Sequence, residues 1–493
     1  MATKSFFTRT KIVSTIGPAS NTKKKLQELI EAGVDVIRLN FSHGTHEDHL
    51  QVYKLIRELS STVAVLVDLS GPKFRIGLVD QPFEAKKGDT IILTTSSEDI
   101  IGSEESKRFS VSHPNLHAEV SKGSVLFIND GLVELHVQKI TGKDIVCQVF
   151  SSGIISSKKG INAPDIPLSL YFPTEKDLDD ATFTLDKFDP EPDFFAISFI
   201  RRPEDVSKIK ELINARYKKT KLIAKIEHKD ALKCIDDILQ VCDGLMVARG
   251  DLGIEVPTED VPIIQKELIL KANQVCKPVI TATQMLESMT FNKRPTRAEA
   301  GDVSNAVLDG TDAVMLSGET ASGNYPIESV QYMDRIAKRA ETMVFQTNQK
   351  EIHFKDANVN NPLSISENLG FSAFTLANNL PITAILAITR TGSTAQIISK
   401  FRPKAPILAC TGDEKTARQL QLVWGVEPIL IPIITSTEEL IFKSVIKCYD
   451  LGFLTETDQV LVVAGTILGV PSKTNQLQVL KVDDILALKT KFE

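Results

Sequence analysis

No run of 18 consecutive apolar residues occurs in this chain, so nothing in it reads as a membrane span. The opening stretch, MATKSFFTRTK, lacks the apolar centre of a secretory signal, and a cytoplasmic protein is the expectation. The cysteines (Cys147, Cys234, Cys242, Cys276, Cys410 and Cys448) contain no C-x-x-C pair. They read as reduced, mostly buried thiols, which excludes a disulfide framework, and no Cys/His set is spaced for zinc. Net charge is small: −6 over 493 residues, too mild for a dedicated nucleic-acid surface. There is no G-x-x-x-x-G-K-[ST] loop, so a nucleotide bound here is not held by a P-loop. Tandem repeats and low-complexity tracts are absent too.

What is present is a globular composition, 42% hydrophobic and 24% charged, on a chain too long for one core. From residue 11 short apolar strands alternate with amphipathic helices: IVSTIG, then a helix capped by Asn21 or Thr22 and closed by Gly33, then VIRLNF, a helix, and AVLVDL. After Ser70 the rhythm breaks. Residues 71–169 carry short β-branched or alternating runs between turn residues, the pattern of an inserted all-β barrel domain. The alternation then resumes with DFFAISFI, LIAKIE, GLMVAR, PVITAT and AVMLSG. Eight strands in βα units predict a (β/α)8 TIM barrel over 1–70 and 170–345, with the β domain inserted after strand three. An open doubly wound sheet is the alternative. A polar linker then leads to a C-terminal three-layer α/β domain, 355–493.

In such barrels chemistry sits at the C-terminal ends of the strands. Strand two ends in Arg38, Asn40, Ser42 and His43, and strand three in Asp68. Strand five ends in Lys225 and Glu227, strand six in Arg249, Gly250 and Asp251, strand seven in Thr281 and Thr283, and strand eight in Ser317 and Glu319. One such end is explained by a structural ion pair. The convergence of so many is the argument for an enzyme. Glu227 and Asp251 offer hard oxygens too few to encage an ion, which suits Mg²⁺ with open positions. Lys225, Arg38 and Arg249 are expected to add positive charge to the rim, and cations with Mg²⁺ suit phosphoryl transfer. Of His43, His46 and His49, only His43 is expected to face the site, with the other two on a solvated helix start.

The motifs IGPAS, RLNFSHG, D-x-x-GP-x-x-R-x-G at 68–77, AKIE, MVARGDLGIE, ITATQMLESM and NKRPTRAEAGDVSNAVLDGTDAVMLSGETASG together resemble the pyruvate kinase family over essentially the whole chain. The resemblance implies phosphoryl transfer from phosphoenolpyruvate to ADP, with ATP and pyruvate as products, in the last step of glycolysis. It implies Glu227 and Asp251 as ligands of Mg²⁺, with Mn²⁺ as the alternative ion. Lys225 would stabilise the phosphoryl group in flight and Arg38 hold phosphate. The N–H groups of Gly250 and Asp251 would take the substrate carboxylate, and Thr283 would line the face where the methyl group forms. Asn40, His43, Arg75 and Lys176 resemble the nucleotide side, the last two at a hinge about which the β domain closes as a lid.

One departure stands out. Potassium-requiring members read Asp-Thr-Lys-Gly-Pro-Glu-Ile-Arg where this chain has Asp68-Leu69-Ser70-Gly71-Pro72-Lys73-Phe74-Arg75. Asn40, Ser42 and Asp68 remain of the K⁺ site, but Leu69 replaces the threonine and Lys73 the glutamate. A lysine ammonium there would supply the charge that K⁺ supplies elsewhere, so K⁺ is expected not to be required; the alternative has Lys73 in solvent and K⁺ still bound. In the C-terminal domain, Thr389, Arg390, Thr391, Gly392, Ser393 and Thr394 resemble the family's effector-phosphate loop, and 465–475 its second loop. The plainer reading is an ordinary capped turn. A phosphorylated effector and a homotetramer are implied by the resemblance alone. A Mg²⁺-dependent lyase or mutase acting on related enolates, and a catalytically silent effector-binding scaffold, are the competing readings.

Overall fold

The computed structural model of the chain describes residues 8–72, 74–96, 100–129, 131–164, 166, 172–351, 364–432, 436–465 and 474–488. Eight parallel strands close a barrel in sequence order: β1 (Lys11–Ile16), β2 (Val36–Asn40), β3 (Ala64–Asp68), β4 (Phe194–Ile197), β5 (Lys221–Ile226), β6 (Gly244–Ala248), β7 (Val279–Ala282) and β8 (Ala313–Leu316). β8 pairs with β1, so the alternative of an open sheet fails. The strands are buried on both faces, as continuous apolar runs such as AVLVD and GLMVA require. The first helix, Lys23–Glu31, is capped by Thr22 rather than Asn21, through a bond from the Lys25 N–H to its hydroxyl. Gly33 follows it at φ +108, where a side chain would be strained.

Between β3 and β4 the inserted segment has its own core, including Ile91, Phe109, Leu126 and Val137. Its described strands close as expected, through the segment 75–76: Arg75 bridges Gly160 beside one end of the sheet and Ile76 bridges Val111 beside the other. They make a six-stranded sheet, 161–162, 125–128, 133–141, 144–151, 90–94 and 108–110 in order, and a two-stranded ribbon of 153–155 with 83–85. Strands in this segment are short, and register shifts between Glu134 and Leu135 and between Val137 and Lys139 bend the sheet. Its two edges meet across residues 74–77, where the Ile76 N–H donates to the Lys159 carbonyl at 2.9 Å and the Gly77 N–H to the Ser110 carbonyl at 2.8 Å. The chain leaves the barrel at Gly71 and re-enters at the helix Glu175–Lys187. Buried Asp177 ties the two crossings: its carboxylate accepts from the Gly71 N–H at 2.9 Å and from the Thr174 N–H at 2.9 Å.

The long helix Pro326–Glu351 takes in the first seven residues of the linker expected over 345–362. FQTNQKE is polar but holds no Gly or Pro to stop a helix. The C-terminal sheet has the order 426–430, 407–411, 382–388, 459–464, 476–481, the last strand antiparallel. That edge strand, QLQVLK, escaped the sequence reading because it is only partly buried and mixed in pattern. The short helix Glu414–Leu420 docks beneath the barrel. Lys415 Nζ donates to the carbonyls of Glu191 (2.8 Å) and Pro192 (2.6 Å), and Arg418 Nε to Asp193 Oδ1 (3.0 Å). Asp193 Oδ2 in turn accepts from the Val65 N–H at 2.8 Å, at the foot of β3. Leu422, just beyond the helix, completes the innermost layer of the barrel with Val36, Leu66, Phe194, Ile223 and Met246. The single tryptophan, Trp424, is 3% exposed at this junction, with the Arg402 guanidinium 4.8 Å from its ring.

Candidate active site

The tips of β2, β3, β4 and β5 converge on one buried cluster. Lys225, at the end of β5, places its ammonium 3.2 Å from Asp68 Oδ1, 2.9 Å from Glu227 Oε1 and 2.8 Å from the Ser198 hydroxyl. Arg38, from β2, grips the other oxygen of Asp68 with Nε at 2.7 Å and Nη2 at 2.6 Å, and donates from Nη1 to the Thr15 hydroxyl at 2.9 Å. Glu227 is fully buried and accepts from the Phe199 N–H at 2.9 Å. Charges at this depth persist only because each has a partner. Burial pushes the Lys225 ammonium toward losing its proton, but Asp68 and then Glu227 outweigh it and hold its pKa above the ordinary lysine value. Burial also pushes Asp68 up, and Lys225 and Arg38 together more than reverse that.

β6 and β7 supply the second half. The helix Arg249–Glu255 begins directly after β6, so Asp251 lies in its first turn, and Asp251 adds to the field that holds Lys225 charged. Thr283 follows β7 at φ +65, an outlier for a β-branched residue, with Gln284 at φ +55. Its hydroxyl donates to the Ala282 carbonyl at 2.7 Å and accepts from the Gly250 N–H at 2.8 Å. The N–H expected to meet a substrate carboxylate is therefore bonded to Thr283 here.

Several tip residues have other duties. Arg249 does not add charge to the open rim: its guanidinium turns into the wall, bonding Asp302 at 2.6 Å and the Thr283 carbonyl at 2.7 Å. It thereby fixes the strained turn that carries Thr283. Thr281 is buried against the Thr311 hydroxyl at 3.0 Å, and Glu319 accepts from the N–H groups of Ser317 (2.7 Å) and Leu286 (3.1 Å). Period-two reasoning placed these side chains at the right end of the barrel, but not which way the following turns would send them. Ser198 was missed: the β4 end, ISFI, shows one small hydroxyl, and only the neighbouring Lys225 gives it meaning.

On the other side lie Asn40, Ser42, His43 and Lys176. The Asn40 side chain accepts from the Ser42 N–H at 3.2 Å, and His43 is exposed. Lys176 Nζ donates to the Phe41 carbonyl at 2.9 Å and to Asp180 Oδ2 at 2.6 Å. His46 and His49 are not on a solvated helix start. His46 Nε2 bonds Asp180 at 2.8 Å, and His49 Nε2 bonds the His43 carbonyl at 2.8 Å while stacking on Phe41. Arg75 sits in the inserted segment with Nη1 on the Lys158 carbonyl at 3.2 Å. Leu69 is fully buried, and Lys73 lies outside the described residues. In the C-terminal domain Gly392 adopts φ +88 with its N–H on the Thr389 hydroxyl at 3.0 Å. Arg390, Thr391 and Ser393 are exposed there, while Thr394 is buried against Thr474. Of the second loop, 465–475, residues 466–473 lie outside the described residues.

A closed parallel barrel whose strand tips bury two cations against two carboxylates, with Asp251 close by, is the apparatus of an enzyme that handles a highly anionic substrate. Known proteins narrow this further. The pyruvate kinase barrel domain matches residues 7–330 and the pyruvate kinase alpha/beta domain residues 367–480. "Pyruvate kinase 2" of Synechocystis is 45% identical over 487 residues, covering 97% of this chain and 80% of the relative. The pyruvate kinases of Bacillus licheniformis and Staphylococcus aureus are 44% and 43% identical, each match covering 97% of this chain and 81% of the relative. The chain belongs to the pyruvate kinase family and is a phosphotransferase. No described helix is long and apolar enough to cross a membrane.

Proposed function

We propose that the chain transfers the phosphoryl group of phosphoenolpyruvate to ADP, forming ATP, and that the enolate left behind is protonated at carbon to give pyruvate. The observation that carries this is the Lys225 ammonium, buried among Asp68, Ser198 and Glu227 with Arg38 on the far side of Asp68. Its pKa is held up, so it acts as a fixed cation and not as a base. Such a group stabilises charge spread over phosphoryl oxygens without reorganising during the step. Arg38 serves as the phosphate partner beside it.

The family generally uses Mg²⁺ and often K⁺. Glu227 and Asp251 fit Mg²⁺ or Mn²⁺: both are hard carboxylate donors following adjacent strands. When bound, the ion supplies Lewis-acid charge to oxygens of the substrate. The chain's own residues do the rest. A substrate carboxylate taking the N–H groups of Gly250 and Asp251 displaces the Thr283 hydroxyl from Gly250. That hydroxyl is then released to orient the water that delivers a proton to carbon. Asn40, His43, Arg75 and Lys176 form the nucleotide side, Arg75 arriving on the inserted segment as it closes.

Independence from K⁺ rests on Lys73 standing in place of the family glutamate, and is supported by Asp68 already being shared by two cations. A phosphorylated effector at Thr389–Thr394 is supported by a glycine-bent loop leading into the helix Ser393–Lys400. Three separate cores support the assignment of 1–70 with 170–345, 71–169 and 355–493 as domains. A cytoplasmic homotetramer is the assembly proposed by family resemblance.

The test is pyruvate formation from phosphoenolpyruvate and ADP with Mg²⁺, with and without K⁺, at constant ionic strength. Equal turnover in both supports the kinase and the Lys73 argument together. Turnover only with K⁺ retains the kinase and refutes the role of Lys73. No turnover in either, with sugar phosphates and nucleotides added as effectors, refutes the proposed reaction.

A further inference from the structure

The nucleotide side is held together by a carboxylate that none of the proposed roles uses. Asp180 lies one turn along the helix from Lys176 and is 2% exposed. Its two oxygens are divided: Oδ2 takes the Lys176 ammonium at 2.6 Å and Oδ1 takes His46 Nε2 at 2.8 Å. The same ammonium reaches on to the Phe41 carbonyl at 2.9 Å, in the turn that also carries Asn40 and His43. The His46 ring lies flat on Phe183, centroids 4.1 Å apart, on the Asp180 helix itself. Two elements distant in sequence, the turn after β2 and the helix 175–187, are thus locked at one buried anion. Without it, a lysine whose side chain is 57% exposed has little to keep it from the many rotamers open in water. Exposed Asp179 makes His46, Asp179 and Asp180 look like a cation cluster, but the Lys176 ammonium already supplies the positive charge there.

We infer that Asp180 is a positioning residue for the nucleotide: it aims Lys176 at the incoming phosphate and, through His46, sets the turn that presents His43. This rests on the proposed nucleotide side. Asp180 itself need not touch ADP. As phosphate arrives, the ammonium exchanges the Phe41 carbonyl for a phosphate oxygen while Asp180 keeps its hold, so the orientation is prepared before binding.

Steady-state kinetics of Asp180→Asn, Lys176→Ala and the double variant, in the full-length enzyme, test this. Lys176→Ala raises the KM for ADP about tenfold or more. Asp180→Asn, similar in shape but uncharged, also raises it about tenfold, with the KM for phosphoenolpyruvate and the melting temperature little changed. The double variant is worse than Lys176→Ala by no more than about threefold, the share carried through His46, because Asp180 acts mainly through that ammonium. If Lys176→Ala alone shifts the KM for ADP, the positioning role is overturned and the nucleotide side stands. If Lys176→Ala does not shift it, the nucleotide side falls and the inference with it. Additive effects, or equal loss for both substrates, make Asp180 merely structural. Should Asp180→Asn not fold, His46→Gln replaces it, with a rise of about threefold expected for ADP alone and no rise overturning the inference.

Discussion

Lys225 joins the fold and the chemistry most tightly, and Lys225→Met separates the two. The substitution keeps a similar length of side chain and removes one buried positive charge. Asp68 retains both bonds from Arg38, at 2.6 and 2.7 Å, and stays ionised. Fully buried Glu227 keeps the Phe199 N–H but loses the cation at 2.9 Å. A buried carboxylate deprived of its cation takes up a proton instead. For a glutamate of ordinary value about 4.3, doing so at pH 7 costs about 3.7 kcal/mol, and at pH 5 about 1 kcal/mol. The sign follows from linkage: in this window the native variant holds a proton that the unfolded chain has released, so its stability falls as pH rises. In the parent protein the Lys225 ammonium contributes stability at all pH values below the ordinary lysine range, since its folded pKa is raised, and changes nothing between pH 5 and 7. The deficit of the variant, from urea unfolding followed by circular dichroism without divalent metal, is therefore about 2.7 kcal/mol smaller at pH 5 than at pH 7. Turnover falls by at least about 10²–10³, the loss expected on deleting a fixed donor to a developing anion. An equal deficit at both pH values, or turnover within tenfold of the parent, refutes the reasoning.

Further outcomes are expected elsewhere. Leu422→Ala empties part of the innermost barrel layer from below and is expected to cost about 2–5 kcal/mol in thermal or urea unfolding. Gly71→Ala places a Cβ 2.7 Å from that of Ser198 at φ +67, with a strain of about 1–3 kcal/mol. Because Ser198 holds Lys225, the same variant is expected to lose turnover about tenfold, whereas Ser70→Ala next door leaves turnover intact.

The barrel was legible because its strands are apolar on both faces and its helices carry their own caps and stops; these signals are local and survive in one dimension. The cluster was half legible. Lys225 and Glu227, two apart on one strand, share a side by backbone geometry alone, and Asp68 and Arg38 end their strands unmistakably. Sequence could not say that Arg249 would turn inward to Asp302, that Glu319 would bond backbone, or that Ser198 would meet Lys225. Each depends on the φ and ψ of a turn after a strand, as at Thr283 and Phe199 with φ of +65 and +56, and turns are set by what packs against them.

What the sequence determined by itself was therefore the order of elements and the inventory of charge at the strand tips. Only the tertiary structure decided how that charge is paired, because a buried ion is stable solely beside a partner, and here the partners lie far apart in the chain. Asp68 meets Lys225 across 157 positions, His46 meets Asp180 across 134, and Asp193 meets Arg418 across 225. No local pattern encodes such pairings; they exist once the barrel has closed and the C-terminal helix has docked beneath it.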